Sequence, residues 1–176
     1  MSDMTMRNSQ RGVFLLEVLI AIVIFAIGIL AMISMQAVSI AAQNDSQYRA
    51  EAEHLIDQLT SQMRMAVAHD TTTGNVVAAS FATFAHQATT TSRCNYTGAV
   101  STVDFIEDWI NTVKGFASDG TTKIAGKGLP GVTDARVQIQ TDAATMPGMN
   151  QVRVTLCWQA ANDKTSHSHS VVAYID

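Results

Sequence analysis

Between Glu17 and Asp45 the chain carries no charged residue. A surface helix needs a polar face, so this gap excludes an ordinary water-exposed helix over residues 18–44. Proline is nearly missing: the two present are Pro130 and Pro147, which leaves the first 129 residues without a helix breaker. Cysteine is equally scarce, and Cys94 and Cys157 stand too far apart for a redox Cys-x-x-C or a cysteine zinc pair. They fit an oxidising compartment, where a disulfide is favoured over two buried free thiols. Basic residues number 11 against 15 acidic ones, giving a dispersed net charge of −4 that offers nucleic acid no electrostatic footprint. No Gly-x-Ser-x-Gly, His-Glu-x-x-His or dinucleotide fingerprint occurs, and no internal repeat. No catalytic residue, metal or cofactor is therefore expected.

What is present begins at residues 11–17, Arg-Gly-Val-Phe-Leu-Leu-Glu. The apolar block Val13 to Met35 would measure about 34 Å as a helix, enough to cross a bilayer core of about 30 Å. Glu17 would lie inside that core, where a lone carboxylate costs several kcal/mol and calls for a named partner. No basic residue lies within helical reach on its C-terminal side. Arg11 precedes Gly12, and a basic residue and Gly before an apolar run, with Glu five residues past the Gly, form a processing signature. Cutting the Gly12–Val13 bond would create a positive amine at Val13, one turn from Glu17 and available to a neighbouring copy or relative.

Arg7 and Arg11 precede the apolar block, whereas its far side begins Asp45, Arg49, Glu51, Glu53. The positive-inside rule places the N-terminus in the cytoplasm, so the soluble domain faces the periplasm. A secretory signal would have a shorter apolar core and a small-residue cleavage site after it, so the apolar segment is expected to be retained. Removing residues 1–12 takes away Asp3, Arg7 and Arg11, leaving 14 acidic and 9 basic side chains and a charge of −5.

The Gly12 to Glu17 constellation resembles the class III signal of type IV prepilins and of type II secretion pseudopilins. Val18 to Met65 resembles the PilV-type minor pilins in Ala26-Ile27-Gly28-Ile29-Leu30, in Met35-Gln36, in Ala50-Glu51-Ala52-Glu53 and in Met63-Arg64-Met65. Val13 stands where Phe is usual at the mature start, and Phe14 where Thr or Ser is usual. The resemblance implies a leader, 1–12, cut between Gly12 and Val13 by a prepilin peptidase, N-methylation at Val13, and Glu17 as the subunit-assembly residue. It further implies a minor type IV pilin of the inner membrane, with a single pass, which primes assembly and enters the surface pilus at or near its tip. Partners would be other minor pilins, the major pilin, a tip adhesin and the inner-membrane assembly platform, in a fibre serving adhesion, twitching motility or DNA uptake. The alternatives are a minor pseudopilin of type II secretion and a signal-anchored periplasmic enzyme or binding protein.

The helical pattern continues past the apolar block with a different character. Tyr48, Ala52, Leu55, Ile56, Leu59 and Met63 recur at three and four, with Asp45, Arg49, Glu51, Glu53, Asp57 and Arg64 opposite. One helix from about Val13 to His69 is expected, apolar over 13–35 and amphipathic over 36–69, ended by Asp70-Thr-Thr-Thr-Gly74. Residues 70–176 form the head. Its Val76 to Phe84 piece fits a helical turn or a loop. Ser101-Thr-Val-Asp104 resembles a capping box opening a helix from about Thr102 to Phe116, with Ile106, Trp109, Ile110, Val113 and Ala117 as its stripe and Trp109 as a core anchor. Five glycines and Pro130 mark Gly115 to Gly131 as loop. Alternation at Ala135, Val137, Ile139, then at Val152, Val154, Leu156, Trp158, then a run Val171 to Ile175, predicts three antiparallel strands. Reversals fall at Pro147-Gly148 and Ala161 to Ser168. Cys157 shares the second face with Arg153 and Thr155, so a disulfide would tie the Cys94 loop to that face. The fold class is α+β, a long helix packed on a small antiparallel sheet of about three or four strands, matching the type IV pilin lollipop that the resemblance implies.

Other motifs favour plain readings. His167-Ser-His169 lacks a nearby carboxylate or cysteine to complete a metal site, which favours a solvent-exposed loop. Glu107 and Asp108 are adjacent on a helix and point apart, as a solvated face does. Asn44-Asp-Ser46 and Asn95-Tyr-Thr97 match a glycosylation acceptor without consequence in a bacterium. Gly126-Lys-Gly128 lacks phosphate-loop spacing, and Gly28 has no small partner four residues on, where Met32 stands.

Overall fold

In the computed structural model, which describes residues 11–142, 150–161 and 163–176, helix α1 runs from Arg11 to Ala66. The short helix α2 (Ala78–Ala82) follows, then strands β1 (Thr89–Ser92) and β2 (Asn95–Thr97), helix α3 (Asp104–Lys114), a 3-10 turn (Asp134–Arg136), and strands β3 (Val137–Asp142), β4 (Asn150–Trp158) and β5 (His167–Ile175). The chain divides into two units, residues 1–46 and 47–176. The class is α+β, as the sequence patterns predict.

The second unit is built around the stripe on α1. Ala52, Leu55, Ile56, Leu59 and Met63 are buried and Tyr48 is half-buried, while Arg49, Glu51, Glu53, Asp57 and Arg64 lie exposed. Spacing at three and four therefore translates into one buried face. Against it pack Ile106, Trp109, Ile110 and Val113 of α3, Val137 and Ile139 of β3, and Val152, Val154, Leu156 and Trp158 of β4. Burying each such side chain stabilises the fold by about 1.5 to 3 kcal/mol. Trp109 anchors this core as expected, and its indole Nε1 donates to the Leu55 carbonyl at 2.7 Å.

Helix α1 ends three residues before the expected His69. The Asp70 amide donates to Asn75 O and the Val77 amide to Ala68 O, both at 2.8 Å, so the chain exchanges helical bonds for a tight reversal. The Asp70 carboxylate accepts the Thr72 and Thr73 amides at 2.9 and 2.7 Å, and Gly74 takes the left-handed conformation that closes the turn.

Of two further expectations, the first resolves to its helical alternative and the second, at the start of α3, changes. The Val76 to Phe84 piece contains α2, whose Phe81 is buried with neighbouring Phe84, an edge-on pair with centroids 6.3 Å apart. Ser101 does not close a capping box: its hydroxyl donates to the Thr83 carbonyl at 3.0 Å, and α3 starts after Val103 without a side-chain cap. The helix stops at Gly115, whose φ of 80° suits glycine alone, and the Phe116 amide bonds back to Asn111 O at 2.8 Å. In the loop beyond, the Thr122 hydroxyl and the amides of Thr121 and Thr122 hold the Asp119 carboxyl down to about 2.

The sheet is three-stranded and antiparallel in the order β3-β4-β5, with Val137 opposite Leu156 and Asn150 opposite Ile175. The Pro147-Gly148 reversal lies outside the described residues, as does Asn162 within the second reversal. A separate two-stranded sheet, β1 against β2, has no counterpart in the sequence reading. It lies where the cysteines demand it: Cys94, at the hairpin tip, is bonded to Cys157 of β4, with Cα atoms 5.5 Å apart. Closing a loop with a sequence separation of 63 stabilises the unit by about 4 kcal/mol on the chain-entropy view.

Candidate functional site

The first unit contains the segment that the sequence singles out. In α1 every large apolar residue from Val13 to Met35 is exposed, together with Val38 and Ile40. Among the described residues α1 is long and apolar enough to cross a membrane, and none of its most apolar window is buried. Apolar side chains at every position from Val13 to Met35 but Glu17, Gly28 and Ser34 suit a helix surrounded by apolar material on all sides.

Glu17 sits within this surface, also exposed. It makes no ion pair or hydrogen bond among the described residues, and the next charged side chain along the helix is Asp45. The Gly12–Val13 peptide bond lies in the same helix, one turn earlier, a rise of about 6 Å. Helical geometry thus brings Val13 and Glu17 onto one face, four residues apart. An amine freed at Val13 would be spaced for a carboxylate in low dielectric, either its own or that of an adjacent chain. Residues 1–10 of the expected leader lie outside the described residues.

The decisive comparison concerns this same segment. Residues 7–33 carry a prokaryotic N-terminal methylation motif. The match covers Gly12, Val13 and Glu17 and supports a precursor similar to type IV pilins or pseudopilins. Neither the curated proteins nor the solved structures yield a match to the chain.

The head brings together few of its reactive side chains. Glu107 and Asp108 are both exposed on α3. The pair His167 and His169 corrects the expectation of a solvent loop: both lie in β5, opposite Trp158 and Leu156. Their strand is extended by the ladder itself, and His167 finds the carboxylate thought missing, with Nε2 3.3 Å from Asp163 and its ring stacked on Trp158. Among the described residues no three His, Cys, Asp or Glu side chains group as metal ligands. A groove of about 660 Å³ is lined by Tyr48, Phe116 and Pro130 with Lys114, Lys123 and Lys127. Its one carboxylate, Asp134, is paired with Lys114 at 3.0 Å.

Sequence reasoning missed His86. It is buried, its Nδ1 accepts the Ser101 amide at 3.3 Å, and its Nε2 has no partner among the described residues. Burial pushes its pKa below the ordinary 6.5, against a weaker upward pull from Asp134. A lone histidine between Ala85 and Gln87 offers no pattern by which to find it.

Proposed function

We propose that the chain is a minor type IV pilin, a structural subunit without catalysis of its own. Prepilin peptidase cuts after Gly12, the new Val13 amine is methylated, and the apolar half of α1 passes from the inner membrane into the fibre. There the Val13 amines and Glu17 carboxylates of adjacent subunits compensate one another, and the head reaches the tip or its neighbourhood beside other minor pilins, the major pilin and an adhesin. The observation that carries this reading is Glu17: an acidic residue without a partner among the described residues, in the apolar half of α1, five residues after Gly12, inside a methylation motif. A carboxylate so placed costs several kcal/mol in a membrane and makes sense when a second chain brings the opposite charge.

The test is the mature N-terminus. Intact mass and N-terminal sequencing of the protein from its own host should give a chain beginning at methylated Val13. A chain that retains Met1, or starts elsewhere, would refute the assignment.

A further inference from the structure

Residues 87–100 form a loop whose two feet are fastened to each other. The Gln87 amide donates to Ala99 O at 2.9 Å, and the Ser101 amide donates to His86 Nδ1 at 3.3 Å. Outside the feet, His86 bridges to Ile139 and the Ser101 hydroxyl donates to the Thr83 carbonyl at 3.0 Å. A loop closed at its base in this way can lift as a unit while the chain on either side keeps its place. Gln87, at φ 48°, and Gly98, at φ 123°, set the bends near the feet, and Cys94 at the tip has φ 59°. For Gln87 and Cys94, which carry a Cβ, that conformation is disfavoured, so release relaxes both.

Few apolar contacts hold this loop to the head. Thr89–Ser92 are exposed throughout, and Tyr96 is the buried residue of β2. Cys94, Tyr96 and Cys157 make a small cluster separate from the core that α1 and α3 form with the sheet. The remaining ties are polar: Gln138, opposite Thr155 in the ladder, donates to Gln87 O at 3.3 Å and to Thr90 Oγ1 at 3.1 Å, and Gln140 donates to Ala88 O at 2.9 Å. Ordering a loop of this length costs more entropy than one tyrosine and a few hydrogen bonds exchanged with water return. A cross-link removes much of that cost beforehand.

We propose that residues 87–100 are a redox-operated strap on the sheet: the Cys94–Cys157 bond holds it down, and reduction by a dithiol lets it lift while the core under α1 and α3 stays folded. Cys157 is fully buried and Cys94 is the more open partner, so a thiolate of the dithiol attacks Cys94 Sγ. The S–S bond breaks with its electron pair going to Cys157 Sγ, which lies 3.4 Å from the Tyr96 hydroxyl, and that hydroxyl donates to the leaving thiolate. Burial pushes the Tyr96 pKa above its ordinary 10.0, so the phenol keeps the proton it shares in this bond. The second thiol of the dithiol then displaces Cys94. The dithiol ends as a disulfide, and two electrons and two protons have passed to the cysteine pair. Gln138 and Cys157 are covered in the oxidised head and open to solvent in the reduced one. The device does not depend on the role of the apolar half of α1.

The experiment is amide hydrogen exchange read by mass spectrometry on the full chain in detergent: oxidised, reduced with dithiothreitol, and as the double variant Cys94→Ser/Cys157→Ser. In both bond-free forms residues 89–97 should exchange at least about tenfold faster than in the oxidised protein, with Leu55–Met63 and Ile106–Val113 still protected when 89–97 has exchanged fully. Reoxidation of the wild type should restore slow exchange. Tyr96→Phe should be reduced by dithiothreitol several-fold more slowly than wild type. Loss of protection in α1 and α3 together with 89–97 would make the bond a staple of the whole head and overturn the strap. Slow exchange at 89–97 without the bond would overturn it as well, and a Tyr96→Phe rate equal to or above wild type would remove Tyr96 from the step.

Discussion

Val13–Ile40 and Ala52–Met63 belong to one helix, yet their apolar side chains have opposite fates. In the second stretch Ala52, Leu55, Ile56, Leu59 and Met63 are buried under α3 and the sheet, with charges on the reverse face. In the first stretch every large apolar side chain is exposed, and no charge but Glu17 is present. Apolar content alone does not make a core: a stripe finds its cover within the chain, whereas an all-round apolar surface requires cover from outside. The head is accordingly a self-sufficient packing problem, and the first unit an incomplete one.

The comparison breaks if the first stretch proves to be packed within the chain. Leu59→Ala should lower the stability of the head by about 2 to 5 kcal/mol, the usual range for a fully buried leucine. Leu30→Ala should leave the head's melting in detergent unchanged within about 0.5 kcal/mol, as an exposed position does. Equal losses at both positions, measured by thermal or denaturant unfolding of the full chain, would show that residues 13–40 have an internal partner.

A smaller effect sharpens the same contrast inside the head. His86 is buried, and burial holds its folded pKa below the 6.5 of the unfolded chain. The unfolded state then binds the proton first, and stability present above that value is lost as pH falls through it toward the folded pKa. Melts between about pH 7.5 and 5 should show this decline, and His86→Gln should flatten it. An unchanged slope in the variant would assign the decline to other groups.

How legible each part was follows from what fixed it. The stripe of α1, the stripe of α3 and the three strands come from periodic burial, and periodicity is written in Leu55, Leu59, Ile106, Val152 and their spacings. The Cys94–Cys157 bond was legible as a pair, and its attachment to the second face followed from the alternation Arg153, Thr155, Cys157. The β1–β2 hairpin was not legible. Its threonines are exposed, only Tyr96 of its strands is buried, and its place is set by a distant disulfide and by Gln138. Ser101 matched a capping pattern, yet tertiary structure offered its hydroxyl the Thr83 carbonyl, a competitor no local pattern reveals. His167 and His169 were read as a solvent loop for want of a carboxylate or cysteine beside them, while pairing with β4 supplied the strand and Asp163 the carboxylate. The candidate site was placed by the spacing of Gly12, Val13 and Glu17 along one helix and by the charge-free run that follows, and a methylation motif spans the same residues.

The central claim is that Glu17 serves a neighbouring subunit. If the carboxylate only tolerates the membrane, Glu17→Ala removes a cost of several kcal/mol, and the protein should enter fibres at least as well. If it pairs with the Val13 amine of an adjacent chain, the substitution leaves a buried charge alone, a loss of roughly 3 to 5 kcal/mol. The direct measurement is the amount of Glu17→Ala protein in sheared fibres, relative to its amount in membranes, with wild-type major pilin. The account predicts a processed, membrane-stable protein nearly absent from fibres. Wild-type amounts in the fibres would contradict it.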